Sequence, residues 1–315
     1  MRLPAVPSIA ASALIAASLL VATGCERGEE VPVAAAPVDT RPTDGAPLTT
    51  ASADGIALRY RVYGRQSDPA RPILIFIHGW STDSSYWDGQ IYPLKDRYTV
   101  VTLDLAGHGE SGITRRRWTM DAYADDVVAV ADQIPDRRVV LIGHSLGAAV
   151  ALQAARRMHG RVIGIVGADA FQNLANPPAA PEILERRLEP FRRDFPTAMR
   201  DYVAGRLFRP DTHPELVRRI ADDMSAAPPG VAIGSIVAMN EMNFSAALAD
   251  VNVPLIAVNS DIGPTDEQRI RIHAPTFRLK LMPGVGHFVM IEDPARFNVL
   301  LEEALRELEA PRPAS

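Results

Sequence analysis

Ser145 stands between two glycines in Gly143-His144-Ser145-Leu146-Gly147, and His287 stands in a turn, Pro283-Gly284-Val285-Gly286-His287-Phe288, 142 residues further on. A serine hydroxyl becomes a competent nucleophile when a base accepts its proton and a third group orients that base. The apolar run Val139 to Ile142 leads into Ser145, and an Ala-rich helical stretch starting at Leu146 leads out. That strand-to-helix turn is the setting of a nucleophile elbow, where the glycines allow backbones to approach and the turn lifts the hydroxyl clear of the sheet. A serine at this point can also serve as a helix N-cap.

An oxyanion formed at such a site needs donors fixed in advance. His78-Gly79-Trp80 follows the apolar run Ile73 to Ile77, which puts the backbone N–H groups of Trp80 and Leu146 forward as the two donors. His78 reads as a structural residue of that loop. Of the seven histidines, only His287 follows the last apolar strand, as the order nucleophile, acid, histidine requires. His108 lies in a Gly-rich turn before the nucleophile strand and reads as structural. His144 adjoins Ser145 and is expected to point away from it, and His159, His213 and His273 read as surface residues.

These groups need a scaffold that brings them together. Asp54-Gly55 followed by IALRYRVYG signals a hairpin with alternating strands. The short unalternating runs Ile73 to Ile77, Thr99 to Leu103, Val139 to Ile142 and Val162 to Gly167 read as strands covered on both faces. Helical stretches at 121–134 and 146–158 lie between them, so the fold class is α/β, a doubly wound and mostly parallel sheet. Residues 171–250 break the rhythm with charged helical segments at 182–194, 196–208 and 214–224, and read as a helical lid inserted into the sheet domain. Strands resume at Leu255 to Val258 and Arg278 to Met282. The core is thus expected over 49–170 and 251–310.

The chain of 315 residues is 47% hydrophobic and 23% charged, as an ordinary globular protein is. Its net charge of -5, with both signs interspersed, leaves no nucleic-acid footprint. The Arg-rich run Ile113 to Trp118 reads as a solvated loop. At the N-terminus, Arg2 precedes the apolar stretch Ile9 to Ala22, which has the length of an export signal and falls short of the roughly 20 residues of a spanning helix. Ala22-Thr23-Gly24-Cys25 contains the only cysteine and resembles a bacterial lipobox, with Ala22 in place of the more usual Leu. That resemblance implies a signal over 1–24, a lipidated Cys25, and an exported lipoprotein held at a membrane on the periplasmic or outer side. Residues 26–48, rich in Pro, Ala and acidic residues, read as a disordered tether.

Taken together, His78-Gly79-Trp80, DLAGHGES at 104–111, GHSLG at 143–147 and PGVGHF at 283–288 make the chain from about 50 to 310 resemble an α/β-hydrolase. In most of that superfamily the acid lies just past the strand after the lid; here Gly263 takes that place, with Asp261 two residues before it and Asp266 three after. One branch of the haloalkane dehalogenases, and the coelenterazine luciferase similar to them, carries the acid at the preceding strand end and has a similar NSDIG segment. That resemblance implies Asp169 as the acid, with Asp261 as the alternative. The competing role is a cap at the lid entrance for Asp169 and a turn residue in Ser-Asp-Ile-Gly for Asp261. Those relatives use an Asp nucleophile, so Ser145 points instead to acyl transfer: hydrolysis of an ester, most simply a carboxylesterase or lipase on a small or medium apolar ester. A C–C bond hydrolase, a lactonase, an aminopeptidase, or a non-catalytic binding protein on the same fold are the alternatives. Met239, Met242, Phe244 and Ile236 fall in the last lid segment, where the resemblance implies a substrate pocket and core packing is the competing role. No cofactor pattern and no His/Cys set for a metal is present in the sequence. The expected partners are a small-molecule substrate and, through Cys25, a membrane.

Overall fold

The structure is a computed structural model that describes residues 44–310, apart from 65–67, 69, 135–136 and 173–176. The proposed signal, Cys25 and most of the tether lie outside the described residues. Among the described residues no helix is long and apolar enough to cross a membrane.

The chain runs β1 (Pro47–Ala51), β2 (Ala57–Tyr63), β3 (Ile73–Ile77), α1 (Asp88–Leu94), β4 (Val100–Leu103), α2 (Met120–Ala131), β5 (Val139–His144), α3 (Leu146–Arg157) and β6 (Val162–Ala168). An all-helical stretch follows, with α4 (Pro181–Arg193), α5 (Phe195–Tyr202) continued by a π-helical turn Val203–Leu207, α6 (Pro214–Ser225), α7 (Pro229–Glu241) and α8 (Phe244–Ala249). It closes with β7 (Leu255–Asn259), α9 (Glu267–Arg271), β8 (Arg278–Leu281), α10 (Val289–Glu292) and α11 (Pro294–Glu309). The eight strands form one sheet in the order β1-β2-β4-β3-β5-β6-β7-β8, antiparallel at β1-β2 and β2-β4 and parallel elsewhere. The expected doubly wound sheet is therefore present.

Side-chain alternation along the buried strands divides the core into two layers. Ile73, Ile75, Ile77, Leu141 and Ala257 face one way and pack with α2 and α3, whereas Leu74, Phe76, Val140, Ile142, Val258 and residues of α11 fill the other side. Both faces must be covered, which is why these strands read as unbroken apolar runs.

Three local outcomes differ from the sequence reading. β1 starts at Pro47, two residues before the expected beginning of the folded body, because Leu48 packs part-buried against the core. The segment after 225, which carried no helical assignment, holds α7 and α8. Arg115, in the Arg-rich run expected to be solvated, turns inward instead. Its guanidinium meets Asp126 at 2.6 Å and Asp54 at 2.7 Å, with Asp126 fully buried. A buried arginine needs such bidentate partners, and its neighbours Arg116 and Arg117 do remain exposed.

Candidate active site

The β5-α3 turn places Ser145 at φ 52°, ψ -115°, a strained conformation for a non-glycine residue. Two close approaches hold it there. A Cβ on Gly143 would lie 2.4 Å from the Ala148 nitrogen, and one on Gly147 would lie 2.3 Å from the His78 carbonyl oxygen. Gly147 thereby seats the first turn of α3 directly against the end of β3. The Ser145 N–H donates to the Ala168 carbonyl at 3.1 Å, which ties the elbow to the end of β6.

Four non-glycine residues with positive φ occur among the described residues, namely Ser81, Ser145, Asp169 and Phe171. All follow the carboxyl ends of β3, β5 or β6. Backbone strain of about 1–3 kcal/mol per residue persists only where the surroundings over-determine it, and it gathers at functional sites.

His287 is aimed by its neighbours on both sides. Its Nδ1 lies 2.6 Å from Asp169 Oδ2, and its ring packs 4.6 Å from the ring of His144, the residue just before Ser145. The His144 ring is thus turned toward His287. Its Nε2 donates to the His287 carbonyl oxygen at 3.1 Å. Burial drives the His144 imidazole well below its ordinary pKa, so it is neutral, and the hydrogen bond to a carbonyl fixes the proton on Nε2. Gly79 has no room for a side chain because a Cβ there would sit 2.6 Å from His144 Nδ1.

Of the two candidate acids, Asp169 is the one bonded to the imidazole. It is 3% exposed, and its other oxygen, Oδ1, accepts from the Ser260 N–H at 2.8 Å, the Ser260 hydroxyl at 2.9 Å and Gln172 Nε2 at 3.1 Å. Asn259, fully buried, grips the next residue from both sides: its Oδ1 accepts from the Ala170 N–H and its Nδ2 donates to the Ala170 carbonyl. Asp261 turns elsewhere, its Oδ1 accepting from Gly284 N–H at 3.0 Å and Arg209 Nη1 at 3.1 Å. Asp266 caps α9 through the Arg269 N–H.

The candidate oxyanion donors are Trp80, after β3, and Leu146, at the start of α3, and neither backbone N–H makes a hydrogen bond among the described residues. The Trp80 indole has a separate task, donating to the Ala232 carbonyl of α7 at 2.8 Å and meeting Phe191 and Tyr202 edge-on. His78 is structural as expected: its Nε2 accepts from the Leu105 N–H and its Nδ1 donates to the Gly79 carbonyl. His108 packs against it with the rings tilted, centroids 4.9 Å apart, and is held neutral by burial, its pKa pushed down to about 3. Asp104 braces the DLAGHGES loop by accepting from the Ser84 and Glu110 N–H groups.

The anticipated pocket residues pack tightly. Met242 is buried in the core layer with Ala170 and Phe171, and Met239 and Phe244 lie part-buried against the same layer. An open groove of 390 Å³ is lined by Arg116, Arg117, Trp118, Arg192, Ile233 and Val237 rather than by these residues. Ile233 and Val237 lie on one face of α7 and Met239 on the opposite one. No cluster of three or more His, Cys, Asp or Glu able to hold a metal occurs among the described residues.

Sequence reasoning missed Asn259, Ser260 and Glu292 as parts of this site. The NSDIG resemblance covered the first two residues but carried no hint that they grip Asp169 and Ala170 across the β6-β7 gap.

Comparison with known proteins fits this geometry. Residues 74–299 match the family described as "Alpha/beta hydrolase family". The chain is 30% identical over 260 residues to a non-heme haloperoxidase of Rhodococcus erythropolis, covering 76% of this chain and 92% of that protein. It is 24% identical over 264 residues to 3-oxoadipate enol-lactonase 2 of Acinetobacter baylyi, covering 82% and 96%. Among solved structures, a thermophilic esterase from Thermogutta terrifontis superposes with a TM-score of 0.72 at 27% identity, covering 84% of this chain and all of that one.

Proposed function

The chain belongs to the alpha/beta hydrolase family, and on that premise we propose that it is a serine hydrolase, a carboxylesterase acting by acyl transfer through Ser145, His287 and Asp169. The observation that carries this reading is the 2.6 Å contact of His287 Nδ1 with Asp169 Oδ2 beside the elbow that presents Ser145.

In the proposed reaction His287 Nε2 takes the Ser145 hydroxyl proton as Oγ attacks the carbonyl carbon of the ester. The carbonyl oxygen becomes an oxyanion between the Trp80 and Leu146 N–H groups, donors of a kind worth about 10^2 to 10^3 in turnover apiece. Collapse breaks the C–O bond to the alcohol, which leaves with the proton held by His287. Water then attacks the acyl-serine with His287 again as base, releasing the acid and restoring Ser145. Asp169 keeps the imidazole proton on Nδ1 and stabilises the imidazolium in both halves.

The similarity to an enol-lactonase and to an esterase supports a carboxylic-ester or lactone substrate. The apolar layer holding Met239, Met242 and Phe244 supports an apolar acyl group once the helical insert, acting as a lid, shifts to admit it. Residues 1–25 support export and lipid anchoring at Cys25.

A fluorophosphonate probe should label wild-type protein at Ser145 and leave Ser145→Ala unlabelled, and p-nitrophenyl esters of rising chain length should be hydrolysed with a maximum at short to medium chains. Folded wild-type protein that neither takes the probe nor turns over any ester would overturn the proposal.

A further inference from the structure

The loop that carries His287 is flanked by Gly284, at φ +86°, and Gly286, so its own sequence does little to hold the imidazole in one place. Its backbone is fixed from outside. Glu292, at the end of α10, folds back so that Oε2 accepts from the Gly286 N–H at 3.0 Å and Oε1 faces the Phe288 N–H at 3.3 Å. Between them the His287 N–H donates to the Leu207 carbonyl at 2.7 Å. Three consecutive N–H groups, 286 to 288, are therefore all engaged, two by one carboxylate and one by the helical insert.

The same carboxylate is tied to the insert. Thr212 donates its hydroxyl to Glu292 Oε2 at 3.2 Å. Leu207 ends the π-helical turn of the insert, and carbonyls at a helix end lack partners within the helix. The packing leaves no slack, since a Cβ on Gly286 would lie 2.5 Å from the Leu207 oxygen and 2.8 Å from Glu292 Oε1. Burial raises the Glu292 pKa, opposed by the Gly286 N–H, Thr212, the Phe288 N–H and nearby His287. A half-buried carboxylate beside His287, accepting from two N–H groups of its loop and from a hydroxyl of the insert, has a positional task.

From this geometry we propose that Glu292 is a positioning residue for His287, and that through Thr212 and Leu207 it couples the helical insert to the aim of the base. This deepens the serine-hydrolase reading and rests on it for its kinetic consequence. A base displaced by about 1 Å can forfeit on the order of 10^2 in rate. Movement of the insert thus reaches the proton-transfer step through two hydrogen bonds rather than through the substrate alone.

Glu292→Gln keeps the shape and loses one of the two backbone acceptors. It should lower kcat on p-nitrophenyl butyrate by about 10- to 100-fold with KM within about twofold. The low-field proton NMR signal of the His287–Asp169 hydrogen bond, identified by its loss in Asp169→Asn, should shift or broaden. Thr212→Val, which removes one bond to Glu292 and leaves the carboxylate, should move both readouts in the same direction by a smaller amount, and it serves where Glu292→Gln does not fold. An unchanged proton signal in a folded variant, or a loss of activity that appears only in KM or only in step with a lowered Tm, would overturn the proposal. The proton signal needs no substrate, so a wild-type protein inert to every ester would sink the hydrolase reading while the signal still decided the role of Glu292.

Discussion

Ser260 gives both of its donors to Asp169: the backbone N–H at 2.8 Å and the hydroxyl at 2.9 Å converge on Oδ1, leaving Oδ2 for His287. A hydrogen bond to a buried charged acceptor contributes about 1.5–3 kcal/mol. Ser260→Ala should therefore reduce kcat by about 10-fold or more, with KM little changed, as read from steady-state kinetics on a p-nitrophenyl ester.

The two aspartates should separate cleanly in the same assay. Asp169→Asn keeps the shape but offers the wrong hydrogen-bond pattern to Nδ1, and a substitution of that kind costs about 10^4 in turnover. Asp261→Asn retains an oxygen for the Gly284 N–H and loses only a part-exposed ion pair with Arg209, a change of about 1 kcal/mol or less. Its turnover should stay within a few-fold of wild type; a 10^4-fold loss there would return the acid to Asp261.

Gly147 and Gly263 make a contrasting pair for stability. Alanine at 147 would drive a Cβ to within 2.3 Å of the His78 carbonyl oxygen, and backbone against backbone has no flexible end to yield. A destabilisation of about 3 kcal/mol or more is expected, read as a Tm lower by on the order of 10 °C. Gly263 has open space around it, so Gly263→Ala should leave Tm nearly unchanged.

Acid sensitivity should trace in part to Asp54. The Arg115 guanidinium bonded to it holds its carboxyl down at about 2, against an ordinary value of 3.8. A carboxylate whose pKa is depressed by folding contributes stability that is fully present above the unfolded value and fades as pH falls from about 4 to about 2. Asp54→Asn should thus melt below wild type at pH 7, and the gap should close across that window. A gap that widened with acid would contradict the assignment.

What the sequence revealed followed periodicity and strain. β3, β5 and β7 read as strands because both faces are covered, and Ser145 and His287 read as reactive because glycines flank them at turns. The third partner was legible only as a choice between Asp169 and Asp261, since both sit at turns and the contact that singles out Asp169, from His287 Nδ1 to its Oδ2, joins residues 118 apart in the chain. Arg115 was misread because nothing local distinguishes it from Arg116; its partners Asp54 and Asp126 lie 61 and 11 residues away. The helix α7 escaped notice because Pro and Gly open it and its apolar residues lie on several faces.

The order β4-β3-β5-β6-β7-β8 puts the candidate residues at the ends of strands that are added to the sheet outward from its middle, with the base on the loop after the edge strand β8. Any contiguous fragment that holds the elbow, the acid and the base must also hold β6, β7, β8 and the whole helical insert between β6 and β7. During refolding from denaturant, far-ultraviolet dichroism should therefore recover ahead of catalysis, and the return of turnover should time the docking of β8 and of the loop behind it.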